Sequence, residues 1–325
     1  VPLSEAFGQQ LGDLAGLVVS DQSGFFDVEQ ADGTIITCRL RGRLMEAAQS
    51  SDIAAIGDRV QFQILADGTG SIEAVLPRVS VLSRAMRTEG KRGAGEPERE
   101  QVIIANADQA FFVFAAAQPA PNLKMLDRFL VIGEKSGIEK LVIVINKMDL
   151  EDNSVTEARM KPYMQMGYPV LYTSARDQLG VAELKTLLQD HLSVFTGPSG
   201  VGKTSLLNLV QPGLGRTVKA VSQRRAEGMH TTRDSVLIRL EMGGHLADTP
   251  GMRTLTLWDI EPEELDGYYR DIALLVGHCK FNDCSHHNET GCAIRAAIEA
   301  GRVAPSRYQS YLQLREELEA AYAVF

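Results

Sequence analysis

Cysteine is scarce, with four in 325 residues, which excludes a disulfide-stapled secreted scaffold. Three of the four crowd between residues 279 and 292, a pattern that favours metal binding in a reducing compartment over oxidised bridges. No apolar run approaches the roughly 20 residues that cross a bilayer. Nothing ahead of the first expected strand reads as a secretory signal, although the chain starts at Val1, and a cytoplasmic location is expected. Positive charge is not in excess: 33 Lys and Arg face 42 Asp and Glu, a formal net charge of −9. That argues against indiscriminate coating of nucleic acid but leaves room for local basic patches. With 44% hydrophobic and 23% charged residues, the chain is globular and long enough for two or three separate cores.

Between residues 14 and 75, short β runs at 14–20, 25–29, 34–39, 59–65 and 70–75 are separated by turn signals at Asp32-Gly33, Gly57-Asp58 and Asp67-Gly68. Five short strands in so little chain suit a Greek-key barrel of the OB type, with an SH3-like barrel as runner-up. Residues 84–100 carry Gly, Glu, Arg and Lys without an apolar period and read as a mobile basic loop. From residue 102 apolar runs (110–116, 141–145, 170–173, 192–196, 236–240) alternate with helical stretches (123–136, 154–166, 181–191). Such alternation implies a mostly parallel sheet covered on both faces. Ser154-Val155-Thr156-Glu157 reads as a capping box for the second helix, and Ser306-Arg307-Tyr308-Gln309 as one for a C-terminal helix. The expected division is a barrel with basic loop over 1–101, an α/β domain over 102–258, and a mainly helical metal-binding segment over 259–325.

The α/β segment contains Gly197-Pro198-Ser199-Gly200-Val201-Gly202-Lys203-Thr204-Ser205, a phosphate loop between an apolar run and a helix expected over 203–210. Its glycines let backbone N–H groups approach phosphates, and the helix N-terminus adds a favourable dipole. Lys203 is expected on the β- and γ-phosphates and Thr204 on Mg²⁺. About fifty residues earlier, Asn146-Lys147-Met148-Asp149 closes an apolar run. Asp149 there can accept from both the N1–H and the exocyclic amine of guanine, a donor pair that adenine lacks. Ser174-Ala175 follows the next run, with the Ala175 N–H suited to guanine O6. Asp248-Thr249-Pro250-Gly251 fits a sensor in which Asp248 holds Mg²⁺ through water and the Gly251 N–H meets the γ-phosphate. An ordinary GTPase presents phosphate first and base last. This chain presents base, phosphate, then sensor: a guanine-nucleotide switch in circularly permuted order.

Many GTPases place a Gln after the sensor glycine to orient the attacking water. Met252 stands there and can neither donate nor accept usefully. His230, within Gly228-Met229-His230-Thr231-Thr232, is the candidate substitute, with a plain surface histidine as the standing alternative. Thr231 or Thr232 completes the Mg²⁺ shell, and the residues do not choose between them.

Cys279, Cys284, His286 and Cys292 form a Cys-x4-Cys-x-His-x5-Cys cluster. Three thiolates and an imidazole select zinc, and four protein ligands leave no open position, so the ion is expected to be structural. His278 and His287 compete with His286 as the nitrogen ligand. Arg39, Arg41 and Arg43 alternate, which in a strand puts them on one face able to meet RNA phosphates.

On the permuted motifs, the small barrel and the Cys/His cluster, the chain resembles the bacterial circularly permuted, ribosome small-subunit-dependent GTPase A family. Further matches are Cys38-Arg39-Leu40-Arg41-Gly42, Gly57-Asp58, Asn106-Ala107-Asp108-Gln109 and Gly291-Cys292-Ala293-Ile294. The resemblance implies an OB-type barrel, a permuted P-loop GTPase domain and a zinc domain, with GTP or GDP, Mg²⁺ and one structural Zn²⁺. It implies a protein that binds the nearly mature small ribosomal subunit near its decoding region, hydrolyses GTP and leaves, as a late checkpoint. It also implies a hydrolytic role for His230. Thr204 stands for the family's usual Ser, Met229 for Arg and Arg233 for Thr. Two other classes stay open: a permuted GTPase serving another ribosomal particle, and a nucleotide-dependent RNA-binding scaffold with negligible turnover. A monomer is the default expectation.

Overall fold

The structure is a computed structural model that describes residues 14–22, 24–45, 51–85, 100–215, 217–218, 236–248, 257 and 259–322. Strands β1 (Leu14–Gln22), β2 (Phe25–Glu29), β3 (Ile35–Leu40), β4 (Arg59–Ile64) and β5 (Gly70–Val75) close into a barrel in the order β1-β2-β3-β5-β4. β3 and β5 pair parallel and all other neighbours antiparallel, the OB arrangement and not the SH3-like one. Every second residue points inward, and Val18, Phe26, Val28, Cys38, Val60, Phe62 and Ile72 fill the interior. Burial pushes the Cys38 thiol up to about 12, so it serves as core.

The chain leaves β3 at Leu40 and enters a single helical turn, α1 (Gly42–Met45). Arg43 therefore does not continue the strand alternation expected for it with Arg39 and Arg41. A second departure follows the barrel. β6 (Val81–Ala85) and β7 (Glu100–Ala105) pair as an antiparallel ribbon, so Arg84 and Glu100, the ends of the expected loop, are strand. Residues 86–99 lie outside the described residues.

The central sheet holds β8 (Gln109–Ala115), β9 (Lys140–Asn146), β10 (Val170–Tyr172), β11 (Leu192–Thr196), β12 (Leu237–Arg239) and β13 (His245–Asp248). Their order is β10-β9-β8-β11-β13-β12, parallel throughout except for β12. Helices α2 (Leu123–Lys135) and α3 (Asn153–Gln165) cover one face, against Phe112, Phe114, Ile143 and Ile145. Helices α4 (Val181–Leu188) and α5 (Lys203–Val210) cover the other, against Phe111, Val113, Val142 and Val144. The cap of α3 is Asp152, whose carboxylate accepts the Ser154 N–H at 2.8 Å. Ser154, expected as the cap, is already helical and donates its hydroxyl to the same carboxylate; an acidic side chain gains from the helix dipole as well as from the bond.

The C-terminal segment contains a 3-10 turn (Leu265–Tyr268), α6 (Arg270–Ala273), α7 (Ala293–Glu299) and α8 (Pro305–Tyr322). Helix α8 starts at Pro305, a residue suited to the first helical position, so Ser306 lies inside the helix and is not its cap. Tyr311, Leu314 and Leu318, at helical spacing, are buried, while Tyr322 is 43% exposed. Between α2 and α8, Arg307 is buried with its guanidinium bonded to Asp127 and 2.9 Å from Asp271. Burial opposes the Arg307 charge, but the two carboxylates outweigh it and hold the guanidinium protonated. Among the described residues no helix is long and apolar enough to cross a membrane.

Candidate nucleotide site and metal centre

From β8 the chain adds β9 and β10 on one side and then returns to place β11 on the other. In open α/β sheets, ligands bind outside the carboxyl ends of the strands at such a reversal. The loops after β8, β9, β10 and β11 converge there. Residues 197–202 leave β11 and enter α5, with Ser199 and Gly200 at the exposed tip and Thr204 and Ser205 exposed in the first helical turn. Lys203 folds back over the loop, its Nζ 2.7 Å from the carbonyl oxygens of both Gly197 and Pro198.

Asn146 joins the base motif to this loop. Its Nδ2 donates to the Val201 carbonyl at 2.8 Å, across 55 residues of sequence. Gly202 makes the approach available: its φ is +94°, and a Cβ there would lie 2.3 Å from Asn146 Nδ2. Asn146 is fully buried, and its Oδ1 accepts from Thr173 Oγ1 at 3.1 Å and from the Ala175 N–H at 3.3 Å. One amide thus ties together the ends of β9, β10 and β11. Asp149 Oδ1 accepts the Ser174 hydroxyl at 2.8 Å, and Arg176 lies 3.9 Å from Oδ2. Lys147 donates to the Gln118 carbonyl in the loop after β8.

Gln118 was not among the sequence candidates, although its place just past a central strand end was a usable signal. Asp177, whose N–H donates to Ser174 Oγ at 3.1 Å, belongs to no motif. Asp248 pairs in register with Phe195, which sets its backbone beside the approach to Gly197. Its side chain, together with His230, Thr231, Thr232 and Gly251, lies outside the described residues.

The second candidate centre is built by the loop before α7. The ligand atoms of Cys279, Cys284, His286 and Cys292 all lie within 4.8 Å of one another. His286 Nδ1 is 3.5 Å from Cys279 Sγ and 3.6 Å from Cys292 Sγ, and those sulfurs are 4.0 Å apart. A tetrahedral ion with bonds of about 2.3 Å to sulfur and about 2.0 Å to nitrogen separates its donors by roughly 3.5–3.8 Å. The donor set fits a tetrahedral metal ion. His286 Nε2 sits 3.2 Å from Asp266 Oδ2, the carboxylate backing that orients a ligating imidazole. His278 and His287 are exposed and outside the cluster.

On the barrel, Arg39 is exposed, with its guanidinium 4.3 Å from the Phe25 ring centroid. Arg41 is bonded to Glu73, which offsets part of the positive face.

Two family models match the chain, the RsgA N-terminal domain over residues 15–72 and the RsgA GTPase over residues 75–258. A Gemmatimonas aurantiaca protein named small ribosomal subunit biogenesis GTPase RsgA is 42% identical over 305 residues, 93% of this chain and 97% of that protein. The chain belongs to the RsgA GTPase family. A Moorella thermoacetica protein of the same name is 40% identical over 309 residues, 94% of this chain and 98% of its own length. YjeQ from Thermotoga maritima shares the fold with a TM-score of 0.74 at 35% identity, covering 94% of this chain and 98% of that one. YloQ, described as a circularly permuted GTPase, gives 0.72 at 32% identity, covering 97% and 98%. The chain is therefore a permuted GTPase whose substrate is a guanine nucleotide, and membership in the family does not favour a scaffold without turnover.

Proposed function

We propose that this GTPase acts late in maturation of the small ribosomal subunit, binding the particle with GTP and leaving after hydrolysis. The observation that carries the reading is the Asn146–Val201 bond, which draws the two inverted motifs to one crevice. In that crevice Asp149 selects guanine, with Asn146, Lys147, Ser174 and Ala175 shaping the base pocket. The backbone of Gly197, Pro198, Ser199, Gly200, Val201 and Gly202, with Lys203, Thr204 and Ser205, cradles the phosphates. Thr204 and Asp248, with Thr231 or Thr232, hold Mg²⁺, which when bound neutralises charge on the β- and γ-phosphates. Gly251 meets the γ-phosphate, and His230 orients the attacking water in the place that Met252 cannot fill.

The Cys/His cluster holds one structural zinc ion, supported by its thiolate-rich donor set. The barrel, with Arg39 and Arg41 on its outer face and Arg43 on the turn beyond, contacts rRNA. We assign the functional units to residues 1–101, 102–258 and 259–325, and the protein works as a cytoplasmic monomer.

The test is phosphate release from GTP with no addition, with small subunits and with large subunits. Intrinsic turnover is expected at about 10⁻⁴–10⁻³ s⁻¹, rising roughly 10³–10⁵-fold with small subunits alone. Equal stimulation by large subunits, or none by either, would defeat the proposal.

A further inference from the structure

The barrel touches the GTPase sheet beyond the junction as well, at the β12–β13 edge. At the junction, Asn106 Nδ2 donates to the Gly57 carbonyl at 3.0 Å and the Ala105 N–H to the Ile56 carbonyl at 2.8 Å. The second contact is made by Glu29, at the end of β2. Its carboxylate is 8% exposed and divides between two partners across the domain boundary: Oε1 lies 2.5 Å from Arg239 and Oε2 2.8 Å from His245 Nε2. Arg239 and His245 face each other across the β12–β13 hairpin. The carboxylate therefore grips both strands of that hairpin at one level.

Three further features build the contact. Ser20 of β1 bridges to Val236 at the head of β12, so the barrel extends the outer edge of the sheet. Val19 of β1 is buried in the same cluster as Leu237 and Ala247. In the β2–β3 turn, Gly33 has φ +88°, and a Cβ there would meet the Arg239 guanidinium at 2.3 Å. A buried carboxylate is costly unless fully paired, and attachment of the barrel does not need it, since the junction already supplies that.

The sequence on either side of the hairpin explains what this grip reaches. β12 follows the segment holding Gly228-Met229-His230-Thr231-Thr232, and β13 ends at Asp248, directly before Thr249-Pro250-Gly251. We propose that Glu29 is a positioning residue for GTP hydrolysis: through Arg239 and His245 it sets the hairpin that carries Asp248, so that engagement of the barrel by its partner is felt at the nucleotide. This rests on the reading of the barrel as a particle-binding domain. Glu29 acts through the hairpin and touches neither GTP nor water.

The experiment compares the full chain with its Glu29→Ala and Glu29→Gln variants, in two arms. In the first, Glu29→Ala lowers the stimulation by saturating small subunits about tenfold, while KM for GTP and Kd for the subunit stay within about twofold. Glu29→Gln, which retains an acceptor for Arg239, recovers most of the loss. In the second arm, with no ribosome present, backbone amides of β12 and β13 exchange faster in Glu29→Ala with GDP bound. Stimulation retained in Glu29→Ala, a loss confined to subunit affinity, or unchanged hairpin exchange would each overturn the inference. If small subunits fail to stimulate the parent chain, the proposed function falls and the exchange arm alone decides the role of Glu29. Should Glu29→Ala not fold, Arg239→Ala combined with His245→Gln breaks the same contact from the other side, with the same expected outcomes.

Discussion

Asn146 and Asp149 sit three residues apart, and the proposed base pocket gives them different work. Asn146 directs three hydrogen bonds to protein, holding Val201, Thr173 and Ala175. Asp149, with one oxygen on Ser174, is the member able to turn acceptors toward a ligand. Because guanine presents two donors on that edge, replacing an acceptor by a donor should invert the preference. Asp149→Asn is expected to weaken GTP binding by at least about 10²-fold and to gain xanthosine triphosphate, whose 2-position is a carbonyl. Fluorescent-nucleotide competition checks this, and undiminished GTP affinity would remove Asp149 from the base pocket. Asp149 and Lys203 were readable in the sequence because their motifs are local. Asp266 was not, since it reaches His286 across 20 residues only through folding, and Gln118 was signalled only by its place past a strand end.

Helices α2 and α8 show how the Cys/His segment is fixed to the GTPase sheet. Glu317 on α8 accepts from Lys124 at 2.7 Å and also bonds Arg128, both on α2. Burial raises the Glu317 carboxyl, but the Lys124 and Arg128 contacts outweigh it and hold it below its ordinary value of 4.5. A depressed carboxylate stabilises the fold fully above its ordinary value, and that contribution disappears as pH falls through the lowered one. Glu317→Gln should therefore cost about 0.2–1 kcal/mol at pH 7, discounted for its exposure, and nothing once the pH is well below 4.5. Urea titrations at both pH values check the sign. Removing the metal acts on the neighbouring element: a chelator or Cys284→Ser should unfold the loop before α7 while leaving GTP binding in place. Circular dichroism and nucleotide titration of the same sample separate the two. The elements themselves were legible wherever one pattern ran unbroken, as in the barrel strands and the buried runs of the central sheet. The β6–β7 ribbon was not, because its apolar residues are split between two short stretches separated by a charged one. Helix starts at Asp152 and Pro305 were displaced by competing Ser residues nearby. The burial of Arg307 depends on Asp127 and Asp271, from two other helices, which no local pattern brings to it.

At the scale of the molecule, permutation leaves the nucleotide crevice intact and changes what lies beside it. The sheet still gathers its loops at the reversal between β8 and β11, since parallel strands deliver their carboxyl ends to one edge whatever their order in the chain. What differs is the company Asp248 keeps. The β12–β13 hairpin is held by the barrel on one side, and the sequence after Asp248 leads to the Cys/His segment on the other. On this reading the inverted base and phosphate motifs serve a single ligand. Calorimetric titration of the full chain with GTP and with ATP, repeated on Asp149→Ala and Lys203→Ala, tests it most directly. One GTP should bind per chain, with ATP weaker by about 10²-fold or more and GTP affinity lost in either variant. ATP bound as tightly as GTP, or a second GTP surviving both substitutions, would contradict it.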